Sequence, residues 1–217
     1  EDPIKLKYSR IRLPIALRFI DIERFNILKP VDEREYDIGF VGRLEPEKGL
    51  PEFVLSMKLL YLKGYRPRVI IVGGGSLYNF AKRELNQFGV NVLSYVPHDQ
   101  MPNIYNSMKI LVLPSKKEGV PTVLLEALAC GVIPVVSKIG GMPWVVQNAG
   151  AGIVLDNTDS VFIYRTVSYL LSLEPEKLRS ISHKGRKFIE EHFSFKSALK
   201  RYSLLRKILG DETCGQH

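Results

Sequence analysis

The chain has 217 residues, 45% of them hydrophobic and 25% charged, with a formal net charge of +8. That is an ordinary globular composition, and a chain of this length buries roughly 70% of its unfolded surface without a disulfide or metal staple. No apolar stretch of this sequence reaches the ~20 residues that span a bilayer and its opening residues do not read as a signal peptide; from the composition we expect neither a membrane-spanning, a collagen-like nor a disordered chain, nor a disulfide scaffold.

The sequence opens Glu1-Asp2-Pro3 rather than with Met, which leads us to expect a fragment or a processed product. Through residue 36 it reads as irregular, a linker or extended segment. Ile4, Leu6 and Tyr8 alternate with polar residues, as do Ile11, Leu13, Ile15 and Leu17, the pattern of a short strand. Lys29 through Tyr36 reads as a polar connector. From there short β-rich runs alternate with helical stretches. The expected strands are Asp37–Gly42, Arg68–Val72, Asn91–Tyr95, Lys109–Leu113, Ile133–Ser137 and Gly152–Leu155. The expected helices between them are Glu47–Lys63, Leu77–Phe88, Pro97–Ser107, Pro121–Ala129 and Met142–Gln147. Such alternation predicts an α/β fold, a doubly wound, Rossmann-like parallel sheet with helices on both faces. The runs Val69–Val72 and Ile110–Leu113 suit strands buried on both sides. Three further helices are expected near Ser160–Leu173, Glu176–His192 and Phe195–Leu209, the last with Ser194 as N-cap and an apolar stripe of Phe195, Leu199, Tyr202 and Leu209. Residues 37–217 are therefore expected to form one domain with added C-terminal helices.

In an open parallel sheet, ligands bind beyond the carboxyl ends of the strands where the strand order reverses. With the order 3-2-1-4-5-6 that point lies between strands 1 and 4. Strand 1 runs into Gly42-Arg43-Leu44-Glu45-Pro46-Glu47-Lys48-Gly49. Pro46 is read as a first-turn residue of the next helix, which puts Lys48 in that turn, opposed to the helix dipole unless an anion sits there. Arg43 and Lys48 can clasp a diphosphate. Alternatively Lys48 is an ordinary surface lysine and Arg43 pairs with Glu45 or Glu47.

After strand 4, Glu118 lies on the loop and Glu126 on a helix that is otherwise apolar apart from Thr122. A buried lone carboxylate needs partners. Glu126 either pairs internally with an Arg or Lys or accepts hydrogen bonds from ligand hydroxyls such as a ribose, with the free N–H groups of Thr122 and Val123 facing phosphates. Gly73-Gly74-Gly75 after strand 2 and Gly140-Gly141 after strand 5 admit a close ligand or serve as tight turns; no G-x-G-x-x-G is present.

The two cysteines, Cys130 and Cys214, form no C-x-x-C, and no histidine lies three to five residues from another, so no structural zinc is expected and a reducing compartment fits better. Residues 176–207 hold ten Lys or Arg against three acids. That surplus is either a solvated helix face or a surface for anionic lipid, nucleic acid or an acidic partner.

Taken together, these segments resemble the C-terminal, donor-binding half of a retaining glycosyltransferase of family 4, which has the GT-B fold. The resemblance rests on Phe40-Val41-Gly42-Arg43-Leu44 with Pro46–Gly49, Ile71–Gly75, Leu113-Pro114-Ser115 with Glu118-Gly119, Leu124–Ala127 with Cys130–Val136, Gly140-Gly141, and His192–Phe195. Glu118 and Glu126 have the family's E-x7-E spacing. Three departures stand out. Pro121 sits where Gly is common and Trp144 where Glu is common, while Asp21–Phe25 resembles the family's linker without its preceding Asn-Gly.

The resemblance implies a hexosyltransferase that moves a sugar from a UDP-, GDP- or ADP-linked donor to an acceptor glycan or lipid with retention of configuration. Arg43, Lys48 and Glu118 would be the catalytic residues. Gly42, Gly73, Gly74, Gly75, Tyr95, Val96, Gly119, Val120, Thr122, Val123 and Glu126 would bind the substrate. Negative charge develops on the leaving diphosphate, so fixed cations and a helix N-terminus suit the transition state. No D-x-D motif occurs, and no metal or other cofactor is expected. The acceptor site would belong to an N-terminal half absent from this sequence, leaving the present chain to bind donor without useful turnover. A cytoplasmic location, with peripheral contact at the inner membrane face, is expected, and no nucleic-acid partner. The alternative is a non-catalytic nucleotide-sugar-binding or degenerate module.

Overall fold

The computed structural model describes residues 19–209; the alternating segments between Ile4 and Leu17 lie outside them. Six parallel strands form one sheet: β1 (Tyr36–Val41), β2 (Val69–Val72), β3 (Asn91–Leu93), β4 (Met108–Leu113), β5 (Ile133–Ser137) and β6 (Ile153–Leu155). Their order is β3-β2-β1-β4-β5-β6, with Ile38 of β1 beside Val69 of β2 and Ile110 of β4. This is the expected doubly wound order.

Alternate side chains on each strand enter different cores. Val41, Ile70, Val72, Leu111 and Leu113 pack under α3 (Met101–Ser107), α4 (Thr122–Ala129), α5 (Met142–Ala149) and α7 (Pro175–Phe193). Ile38, Phe40, Val69, Ile71, Ile110 and Val112 pack under α1 (Leu50–Leu62), α2 (Tyr78–Leu85) and α6 (Ser160–Leu171). Burial on both faces explains why these strands read as continuous apolar runs. The last helix, α8 (Phe195–Leu209), follows an extended Ser194, whose Oγ accepts the Ser197 N–H at 3.2 Å, as an N-cap should. Phe195, Leu199 and Tyr202 of its stripe are exposed.

Several expected boundaries shift for identifiable reasons. The stretch Glu47–Lys63 is not one helix. Pro46–Lys48 forms a separate 3-10 turn, Gly49 turns left-handed at φ 73°, and α1 begins at Leu50. A Cβ at Gly49 would collide with the backbone of Pro114, so the chain can pass the end of β4 only with glycine there. Another 3-10 turn, His98–Gln100, precedes α3, and a third, Asn86–Phe88, follows α2. Residues 20–35 lie against the domain. Ile20 donates to the Phe193 carbonyl at 2.7 Å, and Phe25, Val31 and Arg34 are buried.

Helix α4 deserves its central place because it is apolar nearly all round and fully enclosed from Leu124 to Ala129. Its carboxyl end closes in a Schellman motif. Gly131 is left-handed at φ 70°, its N–H reaches the Leu128 carbonyl at 2.9 Å, and Val132 N–H reaches Ala127 at 2.9 Å. Two guanidinium groups satisfy the remaining carbonyls, Arg186 donating to Ala129 at 3.0 Å and Arg34 to Cys130 at 2.7 Å. Arg34 also donates to Lys29, Tyr105 and Met108. Burial draws its pKa down to about 10, still charged at neutral pH, where it complements the negative end of the α4 dipole. Not all of the basic surplus in residues 176–207 is therefore a solvated face. Arg186 grips backbone, and Arg179 pairs with Asp32 at 2.6 Å.

Replacing Arg34 by Met strips donors from four carbonyls and is expected to cost about 3 kcal/mol. Arg34→Lys should recover only part of that loss, because one ammonium cannot span partners that a planar fork reaches. Urea unfolding of both variants checks this; an unchanged midpoint in Arg34→Met would refute it.

Candidate functional site

The loops after β1 and β4 leave the sheet toward opposite faces, to α1 and α4, and a trough opens between them. One hollow, of about 240 Å³, is walled by Gly42, Arg43, Lys48, Ser115, Glu118 and Val123 among others. A second, of about 310 Å³, runs over the ends of β2 and β3 and is walled by Gly73, Gly74, Tyr95, Val96, His98 and Glu126 among others. The two share Val41, Gly42, Arg43 and Val123, so they form one continuous cleft.

Glycines let the walls come this close. A Cβ on Gly73, at φ 148°, would overlap the carbonyl oxygen of Gly42, so the ends of β1 and β2 meet backbone to backbone. Glu45 joins the same two loops through the N–H and hydroxyl of Ser76, which hold its carboxyl below the usual range. The expected glycine pair after β5 packs rather than lines. A Cβ on Gly140, at φ 59°, would strike the Glu118 carbonyl, and Gly141 N–H donates to the Gly119 carbonyl at 3.0 Å. That contact supports the loop carrying Glu118.

The charged residues meet as follows. Lys48 bonds directly to Glu118 across the cleft, the two side chains only 19% and 17% exposed. Lys48 is in the 3-10 turn, one residue before left-handed Gly49, rather than in the helix, contrary to the sequence expectation. Arg43 pairs with Glu47 at 3.2 Å and is 69% exposed, so of the two acids considered it takes Glu47. Glu126 forms neither of the salt bridges envisaged from sequence. Its side chain is 6% exposed, its Oε2 accepts the Tyr105 hydroxyl at 2.8 Å, and its Oε1 lies 2.9 Å from His98 Nε2. Burial and the adjacent carboxylate push the Tyr105 pKa well up, so its hydroxyl stays a donor. Cys130, on the end of α4, is pushed up to about 12 by burial and is no nucleophile.

Most residues singled out from sequence thus converge: Gly42, Arg43, Lys48, Gly73, Gly74, Tyr95, Val96, Glu118, Val123 and Glu126 wall the cleft. Four stand apart. Gly75 turns toward Leu44 and Glu45, and Val120 packs on Gly141, while Gly119 and Thr122 sit exposed at the rim. Trp144 faces a different hollow, with His192, Phe193 and Arg201. Sequence reading missed His98 and Tyr105. His98 directly follows Pro97, the expected start of the third helix. Tyr105 gave no signal, because its ring belongs to an ordinary apolar helix face.

The family model described as "Glycosyl transferases group 1" matches residues 21–188, most of the chain and the whole cleft. The chain belongs to this family. It is 29% identical over 170 residues to the capsular polysaccharide biosynthesis glycosyltransferase CapM of Staphylococcus aureus, covering 72% of this chain and 42% of that protein. It is 30% identical over 170 residues to an uncharacterized glycosyltransferase of Methanocaldococcus jannaschii, covering 74% and 43% respectively. The chain thus spans less than half the length of these relatives.

Among solved structures, the group 1 fold recurs in sucrose-phosphate synthase from Thermosynechococcus elongatus (TM-score 0.74, 20% identity, 96% of this chain and 57% of that one). It recurs in the C-terminal domain of a group 1 family protein, LpcC, from Francisella tularensis (TM-score 0.68, 22% identity, 81% and 99%). It is also found in S. aureus TarM, solved with fondaparinux, α-GlcNAc-glycerol and UDP (TM-score 0.70, 20% identity, 86% and 38%). The parallel sheet with flanking helices is that of GT-B glycosyltransferase C-terminal domains. Among the described residues no helix is long and apolar enough to cross a membrane.

Gly73→Ala should destabilise the fold by about 2 kcal/mol or more, combining backbone strain with overlap on Gly42. Gly74→Ala meets only the Ser94 carbonyl at 3.4 Å and should be nearly neutral. Thermal melts of the pair check the contrast; equal effects would contradict the close approach.

Proposed function

We propose that this chain is the donor-binding half of a retaining, family 4 glycosyltransferase that takes its sugar from a nucleoside-diphosphate donor. The observation that carries the reading is the meeting of Lys48, Glu118 and Arg43 in one cleft at the β1–β4 switch point, continuous with the hollow that holds Glu126. Residues 37–217 would form the donor domain and residues 1–36 the link to an N-terminal half. That half would supply the acceptor, a glycan or lipid, and bring the protein to a membrane surface peripherally.

In this reading the diphosphate lies between Arg43, Lys48 and the first-turn N–H groups of Thr122 and Val123, where positive charge and helix dipole meet it. Lys48 exchanges Glu118 for a phosphate oxygen. Glu118, freed from its ion pair, then turns to the hydroxyls of the transferred sugar. As the glycosyl–phosphate bond breaks, the same cations take up the charge that develops on the leaving diphosphate. No metal is assigned a step. The base rests over Gly73 and Gly74 beside Tyr95 and Val96. The presence of UDP in the TarM complex is in keeping with such a donor.

Calorimetric titration with UDP, GDP and ADP should show one nucleotide preferred, and Arg43→Ala or Lys48→Ala should weaken it by about 1.5–3 kcal/mol, tenfold or more. Binding by none of the three would defeat the donor reading. In the full-length protein, Glu118→Ala should abolish transfer while nucleotide affinity stays within a few-fold. Unchanged turnover there would favour a degenerate, non-catalytic module or a different chemistry.

A further inference from the structure

Trp144, the only tryptophan of the chain, lies outside the donor cleft. It occupies the first turn of α5, where an acid would suit the helix dipole better than a large apolar ring. It is 41% exposed. Behind it Phe188 of α7 is buried, with ring centroids 5.9 Å apart, and Phe188 in turn meets the rings of His192 at 4.7 Å and Phe193 at 5.8 Å. The indole is therefore propped on a packed aromatic base. Its Nε1–H donates to no group among the described residues.

In front of the indole lies a hollow of about 310 Å³, bounded also by Glu191, His192, Phe193, Ser197, Lys200 and Arg201. That volume falls within the range of small-ligand sites. Its rim is positive. Arg201 is a fixed cation, its guanidinium 5.9 Å from the Phe193 ring centroid and donating to the His192 carbonyl. Lys200 has no ion-pair partner among the described residues. Glu191, the one acid on the wall, already pairs with Lys187 at 3.8 Å. The Ser197 hydroxyl donates to the Ser194 carbonyl at 2.8 Å and keeps lone pairs for an incoming donor. The exposed residues of the α8 stripe, Phe195, Leu199 and Tyr202, lie outside this wall.

These features fit one class of ligand. A sugar ring has a C–H face that packs on an indole, and edge hydroxyls that accept from the indole N–H or donate to Ser197. An anionic group on the sugar answers the two cations. We propose that the hollow at Trp144 binds an acidic glycan, with one sugar unit stacked on the indole and its carboxylate or phosphate held by Lys200 and Arg201. This site is separate from the donor cleft and does not depend on the donor reading. Gly141, the N-cap of α5, donates to the Gly119 carbonyl at 3.0 Å, so the glycan sits on a helix that also braces the loop of Glu118.

Because Trp144 is the only tryptophan, its fluorescence reports on this hollow alone. The chain is titrated with trigalacturonate for the carboxylate case and mannose 6-phosphate for the phosphate case, beside uncharged maltotriose and inorganic phosphate. At least one acidic sugar should quench or shift the emission saturably, binding about fivefold or more tighter than maltotriose; which one does so names the anionic group. Inorganic phosphate, which has no ring to stack, should leave the emission unchanged. Lys200→Gln should weaken the acidic sugar about threefold at low salt. By calorimetry, Trp144→Ala should lose about tenfold or more in affinity for it, while its response to nucleotides stays that of the wild type. Silence from both acidic sugars at millimolar concentrations, an equal affinity for maltotriose, or unchanged acidic-sugar affinity in Trp144→Ala would overturn the inference. Failure of the nucleotides to bind would defeat the donor reading alone.

Discussion

The carboxyl end of α4 is where the structure has its greatest electrostatic demand. The helix is enclosed by apolar neighbours, so its last carbonyls have no access to water and must find donors inside the protein. Gly131 and the Schellman bonds meet part of that demand, and Arg34 and Arg186 meet the rest from residues 96 and 57 positions away in the sequence. The same Arg34 guanidinium reaches the end of α3 and the start of β4. A single cation thus sets the spacing of the two helices that bring Tyr105 and Glu126 together. The opposite end of α4 borders the cleft through Pro121 and Val123.

Cleft shape follows from a second constraint, the close approach of backbone to backbone. Gly73 lies on Gly42, Gly49 on Pro114 and Gly140 on Glu118. In each case a side chain would push apart two loops, at least one of which carries cleft residues. Arg43 and Lys48 share a wall with Glu118 because Gly49 lets the Pro46–Lys48 turn run tight against the end of β4. The loop of Glu118 is itself supported from below by Gly140 and Gly141. The site is therefore built on strand ends and short glycine-bounded turns, which are stiffer supports than long loops.

Much of this is legible in the amino-acid sequence. Strand–helix alternation located all six strands to within about two residues at each end, and the buried runs Val69–Val72 and Ile110–Leu113 announced a two-faced sheet. The strand order pointed to the β1–β4 junction, and most of the residues chosen there do wall the cleft. Less legible were features made by pairs distant in sequence. The Lys48–Glu118 bond spans 70 positions and the Tyr105–Glu126 bond 21, and neither leaves a periodic mark. Gly140-Gly141 could be read as a ligand contact or a turn, and only its packing on Glu118 shows the supporting role.

Local sequence determined what depends on local physics: which runs form strands or helices, where proline and glycine interrupt them, and which strand ends border the topological switch point. Tertiary structure alone decided how the buried charges are answered. Sequence showed that Glu126 and Arg34 exist, but not that one would be held by a tyrosine and a histidine, or that the other would spend its donors on four backbone carbonyls. The reason is that a buried polar group must be satisfied by whatever the fold brings within about 3 Å, and that neighbourhood is assembled from segments the chain keeps far apart.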